Sequence, residues 1–118
     1  MTEPHPLQRL IWLASSYADF CKLPKEVQQA IGFALYLAQC GDKHICAKPL
    51  RGFSGAGVLE VVDNFEGNTY RCAYTVRFAD AVYVLHAFQK KAKRGIGTSK
   101  RDMDLIRARL AQAHKDHA

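Results

Sequence analysis

The sequence predicts an α+β domain: a small, antiparallel-rich sheet in the order strand, two helices, three-strand meander and C-terminal helix. Three observations predict it. Residues 57–94, GVLEVVDNFEGNTYRCAYTVRFADAVYVLHAFQKKAKR, are rich in β-branched and aromatic residues broken at short intervals by turn formers. Residues 25–39 repeat apolar side chains at helical spacing. Beyond Gly95 and Gly97, Met103, Ile106, Leu110 and Ala113 recur every three or four residues.

Taken in order, residues 7–14 (LQRLIWLA) read as a first strand, and Ser15 and Ser16 offer a cap for a short helix over 17–22. Pro24 suits the first turn of a second helix, whose stripe is Val27, Ala30, Ile31, Ala34, Leu35 and Ala38, and which Gly41 ends. Residues 42–56 form a loop with cationic side chains and two glycines, lacking the lysine and hydroxyl residue of a P-loop. The meander places strands at 58–65, 69–78 and 81–89. In its second strand Tyr70, Cys72, Tyr74, Val76 and Phe78 share one face, and Arg71, Ala73, Thr75 and Arg77 the other. The first face is a core wall, and the second is polar and basic. Thr98 or Ser99 caps the last helix, with Asp102 in its first turn. The apolar stripe of that helix is thin, and Arg101, Arg107, Arg109 and Lys115 cover much of the remainder. It allows docking on its own sheet or exchange with a partner copy in a dimer.

At 118 residues the chain reads as one domain over 1–118. Apolar content of 48% with 24% charged residues argues against disorder. There is no membrane-length apolar run and no basic, uninterrupted leader, so the expected location is cytoplasmic. Charge is unevenly placed. Residues 1–85 hold eight Lys/Arg against eight Asp/Glu, whereas residues 86–118 hold nine against three. A basic last third on a neutral scaffold suits a polyanion or an acidic protein segment; the plainer alternative is a solvated surface. Cys21, Cys40, Cys46 and Cys72 form no Cys-x-x-Cys pair. The spacing of Cys40, His44 and Cys46 matches no zinc pattern, so no metal and no other cofactor is expected.

The ordered set Lys48-Pro49-Leu50-Arg51-Gly52, Leu59-Glu60, Tyr70-Arg71, Val84-Leu85-His86-Ala87-Phe88-Gln89-Lys90-Lys91 and Thr98-x-Lys100-x-Asp102 resembles the RelE/ParE toxin superfamily. The nearer likeness is to its phage-derived HigB-like branch, and it covers essentially the whole chain. Ser99 stands where relatives often have proline. The resemblance implies a toxin of a type II toxin–antitoxin module: a small ribonuclease that cuts mRNA on the ribosome and is silenced by a cognate helix-turn-helix antitoxin. A ParE-like gyrase inhibitor and a non-catalytic basic binding module of prophage origin are the alternatives.

Strand parity puts Glu60, Arg71 and His86 on one face, with Lys90 on the same parity as His86 and Val82, Val84 and Phe88 also on that side. RNA cleavage by its own 2′-hydroxyl needs a base, cations for the phosphorane, and an acid for the leaving oxygen. Arg71 is the candidate phosphate clamp, because a planar guanidinium holds two phosphate oxygens. His86 is a candidate acid or base. Glu60 is either a base, an orienter of a cation, or half of a cross-strand ion pair. Lys48, Arg51, Lys90, Lys91, Lys93 and Arg94 are candidate RNA contacts. Phe88 is either core or a base-stacking platform.

Overall fold

The computed structural model describes residues 7–53, 55–90 and 98–117. Five strands form one sheet in the order β1-β5-β4-β3-β2. The strands are β1 (Arg9–Trp12), β2 (Ala47–Pro49), β3 (Val58–Phe65), β4 (Asn68–Thr75) and β5 (Ala81–Gln89). The helices are α1 (Ser16–Cys21), α2 (Lys25–Gln39) and α3 (Lys100–His117). The α+β architecture and the meander match the sequence expectation, and α2, β3 and β5 carry its boundaries.

The hairpin between β3 and β4 closes through Glu66 and Gly67, both at positive φ (50° and 81°). Phe65 pairs directly with Asn68 across it. Such a two-residue turn twists with the strands, and glycine takes its left-handed conformation without steric cost. β1 lies at the far edge, parallel to β5, with Arg9 opposite Ala81 and Trp12 opposite Val84. Parallel neighbours require a long crossover; here the intervening chain runs through α1 and α2, which cover one face of the sheet. β2 falls inside the 42–56 segment expected to be loop throughout. It is three residues long, antiparallel to β3, and sets Lys48 opposite Glu60.

Each face of the sheet has its own core. On one, Val27, Ile31, Ala34, Leu35 and Ala38 of α2 pack with Phe20 of α1 against Val61, Cys72, Tyr74, Val82 and Val84. Ile31 is fully buried, a burial worth about 2 kcal/mol relative to exposure. On the other, Ile106 and Ala113 of α3 pack against Ala73, Tyr83, Leu85, Val58 and Phe53, with Met103 and Leu110 at the margin. The last helix therefore docks on its own sheet. The face expected to be polar and basic is a second core layer, in which Arg71, Ala73 and Thr75 are buried. Helices therefore pack on both sides of the sheet.

Two further expectations change here. Phe78 lies beyond the end of β4 and packs in the α3 layer, its ring 4.2 Å from that of His117, rather than with Tyr70 and Cys72. Val82 and Val84 lie on the α2 side, opposite to His86. The cause is a bulge: Ala73 pairs with His86 but Tyr74 pairs with Val84, so Leu85 is an extra residue. One inserted residue reverses the alternation, and Leu85 and His86 both end on the α3 side.

The bulge is held by Arg109. Read from sequence as belonging to the helix's charged cover, this residue is buried. Its Nη1 donates to the Leu85 carbonyl at 2.8 Å, and its Nη2 to Ser15 Oγ at 2.9 Å. Ser15 Oγ in turn donates to Asp19 Oδ2 at 2.8 Å. Burial lowers the Arg109 pKa, and the Asp19 carboxylate opposes that. Among the described residues no helix is long and apolar enough to cross a membrane. Arg109→Ala would strand the Leu85 carbonyl in the core, and urea denaturation should show a loss of about 2 kcal/mol. An unchanged midpoint would mean that the bulge holds without Arg109.

Candidate functional site

Register across the meander brings the predicted residues to one face. Glu60 pairs with Ala73, and Ala73 with His86. One rung along, Val62 pairs with Arg71, and Arg71 with Phe88. Directly paired residues project to the same side, so Lys48, Glu60, Arg71, His86 and Phe88 all face α3. Two strand spacings separate Glu60 from His86, about 10 Å along the hydrogen-bonding direction.

Glu60 and Arg71 are joined. Arg71 Nη1 donates to Glu60 Oε2 at 2.9 Å, and the side chains are 10% and 9% exposed. A charge-assisted bond this buried orients the guanidinium and occupies one carboxylate oxygen. It also gives Arg71 a structural role, because removing one partner leaves the other as an uncompensated buried charge. Of the expectations for Glu60, the cross-strand ion pair is what the geometry shows, and the orienting role is compatible with it.

The pair lies on the wall of a groove of about 850 Å³. Lys48, Arg51 and Gly52 border it on the β2 side, Val62 and Asn64 along β3, and Thr98 and Met103 at the start of α3. Lys48 and Arg51 are exposed. Among its described lining residues three cations stand against one carboxylate, which favours an anionic occupant. Gly52 has φ 95°, and a Cβ there would come within 3.1 Å of Met103 Cε. Glycine therefore lets the β2–β3 loop approach α3 closely.

His86 and Phe88 lie outside that lining. Their rings stack with centroids 4.3 Å apart and 14° between planes. His86 is 7% exposed, whereas Phe88 and Lys90 are half-buried. His86 Nε2 lies 2.8 Å from Asp102 Oδ1. A carboxylate has no hydrogen to donate, so Nε2 carries it, and the neutral ring then has its lone pair on Nδ1. Asp102 is the site residue that sequence reasoning missed. Its signal was Ser99-x-x-Asp102, legible there only as a helix start. Ser99 Oγ does cap that turn, accepting the Asp102 N–H at 3.2 Å, and it donates to Asp102 Oδ2 at 2.7 Å.

Burial lowers the pKa of His86 below its ordinary 6.5, while the hydrogen bond and charge of Asp102 pull it back up; Arg109 adds to the lowering and Asp19 opposes it. The three remaining predicted contacts, Lys91, Lys93 and Arg94, lie outside the described residues. His44 Nδ1 accepts the Cys46 N–H at 3.0 Å, and its ring meets Phe33 edge-on. Among the described residues no three His, Cys, Asp or Glu side chains converge as a metal site would require.

The family described as phage-derived protein Gp49-like matches residues 18–111. The solved structure of the E. coli toxin RelE, as a double arginine-to-alanine mutant in the free state, superposes with a TM-score of 0.58 at 14% identity. The match covers 92% of this chain and 98% of that one, and it shows a shared fold. No curated protein matches the sequence.

Glu60→Ala and Arg71→Ala should each cost about 3 kcal/mol in urea denaturation, and the Glu60→Leu/Arg71→Met double variant less than either. Additive losses would show that the pair is not coupled. An unfolded His86 binds its proton near pH 6.5 and the native one only at lower pH, so stability should fall as pH drops below about 6.5. His86→Gln should flatten that dependence in denaturation curves recorded between pH 7.5 and 5.

Proposed function

The chain belongs to the phage-derived Gp49-like family, and from that membership we propose that it is the toxin of a type II toxin–antitoxin module. Its activity is cleavage of mRNA on the ribosome. The observation that carries this reading is the Glu60–Arg71 pair on the wall of a cation-lined groove beneath the start of α3.

The chemistry follows from what each side chain offers. Arg71, aimed by Glu60, binds non-bridging phosphate oxygens and meets the charge that grows on them in the phosphorane. Lys48 and Arg51 hold neighbouring phosphates at the mouth of the groove. His86 takes the proton of the attacking 2′-hydroxyl as the neutral imidazole that its burial favours. Phe88 stacks on a splayed base. Lys90 and the cations at 91, 93 and 94 extend the contact with RNA. Glu60 acts on Arg71 and does not itself take the proton. The antitoxin, a helix-turn-helix protein encoded beside the toxin, places an acidic segment over the same cations and so blocks the groove; its affinity falls as salt rises.

Induction in cells, followed by primer extension on mRNA, tests the proposal. Ribosome-dependent cuts are the expected result, whereas double-strand DNA breaks would replace it with gyrase inhibition. Arg71→Lys keeps a cation beside Glu60 but loses the planar fork. It should fold and cut about 100-fold more slowly. Parental rates in that variant would remove Arg71 from the phosphate site.

A further inference from the structure

The bond between His86 and Asp102 does more than fasten α3 to the sheet. Asp102 is held from two sides. Its Oδ1 meets His86 Nε2 at 2.8 Å, and its Oδ2 accepts the Ser99 hydroxyl at 2.7 Å. That hydroxyl also receives the Asp102 N–H, so the carboxylate is locked to the first turn of α3. The imidazole is held as well, flat against Phe88. Its other nitrogen is different. Among the described residues Nδ1 is buried and has no hydrogen-bond partner. Leaving a buried acceptor unsatisfied costs about 1–3 kcal/mol, and native structures keep few such atoms without a use for them.

We propose that Asp102 is a positioning residue for His86: by accepting the Nε2 hydrogen it holds the ring in one tautomer and leaves Nδ1, which bound RNA must first uncover, as the atom that takes the 2′-hydroxyl proton. This rests on the cleavage reading given above. As the O2′–P bond forms, the hydroxyl proton passes to Nδ1. The P–O5′ bond breaks with its electron pair on O5′, which takes a proton from water or a groove ammonium such as Lys48. The products are a 2′,3′-cyclic phosphate and a 5′-hydroxyl. The imidazolium so formed faces Asp102 across a 2.8 Å bond, and the carboxylate stabilises it without touching RNA. The other charged groups felt by the ring are Arg109 of α3, which disfavours the imidazolium, and Asp19 of α1, which favours it.

Long-range ¹H–¹⁵N correlation NMR of the histidine rings in the full chain tests the positioning directly. The parent should show the hydrogen on Nε2 of neutral His86. In Asp102→Asn the His86 titration midpoint should move to lower pH, because the charge that raises it is gone, and the hydrogen should redistribute towards Nδ1. Single-turnover cleavage by that variant should fall about 10- to 100-fold, with the circular dichroism spectrum and ribosome affinity retained. A hydrogen on Nδ1 in the parent, or an unmoved midpoint in Asp102→Asn, overturns the proposal. The NMR result needs no cleavage. A parent that cuts no RNA while showing the Nε2 tautomer would sink the cleavage reading, and with it the proton transfer, but leave the positioning by Asp102 standing.

Discussion

The bulge at Leu85 and the guanidinium that holds it are the constraint on which the rest of the molecule depends. An extra residue in β5 turns both Leu85 and His86 towards α3. Without it, a strand cannot supply a core residue and a site residue to one face in succession. The cost is a carbonyl withdrawn from the ladder, and Arg109 answers it from α3. The same side chain reaches Ser15, and through it Asp19 at the other end of the sequence. One buried cation thus ties α3, β5 and α1 together. That anchor, with Ile106 and Ala113 beside it, fastens α3 to the sheet.

The groove opens beside the start of that helix. Along most of its length α3 seals the sheet with apolar contacts. At its first turn the sealing gives out, and polar residues take over. Met103 lines the groove at that end, and Gly52 lets the opposing loop come close to it. Here the ordinary rule that charges stay in water is set aside for Glu60 and Arg71. They are tolerated because they satisfy each other and because one side of the pair meets the groove. Structure and chemistry are therefore coupled at this position. A ligand anion that engages Arg71 meets a group already aimed, and it must share that group with Glu60. On β5 the His86–Asp102 bond has the corresponding role, fastening α3 where the groove begins.

What sequence could show depended on how local the signal was. The helix at 25–39 and the strands at 58–65 and 81–89 were legible, because periodicity and turn residues are properties of neighbouring positions. So was the shared face of Glu60, Arg71 and His86, although for His86 the parity argument reached the right face while misplacing Val82 and Val84 around it. The short strand at Ala47–Pro49 was not legible. Three residues carry no period, and β3 alone makes them a strand.

By itself, then, the chain's order of residues determined the types of all the elements but the short β2, the uneven charge, and the set of ionisable groups from which a site can be built. Tertiary structure alone decided which of those groups are surface and which are core. Arg109 and Arg107 sit on one helix with the same chemistry, yet one is buried under a bulge and the other is exposed. Asp102 reads as a helix-start residue until His86, sixteen positions away, is laid beside it. The physical reason is that periodicity is set by bonds along the chain. Register, bulges and the partner of a buried charge are set by what folding brings across it.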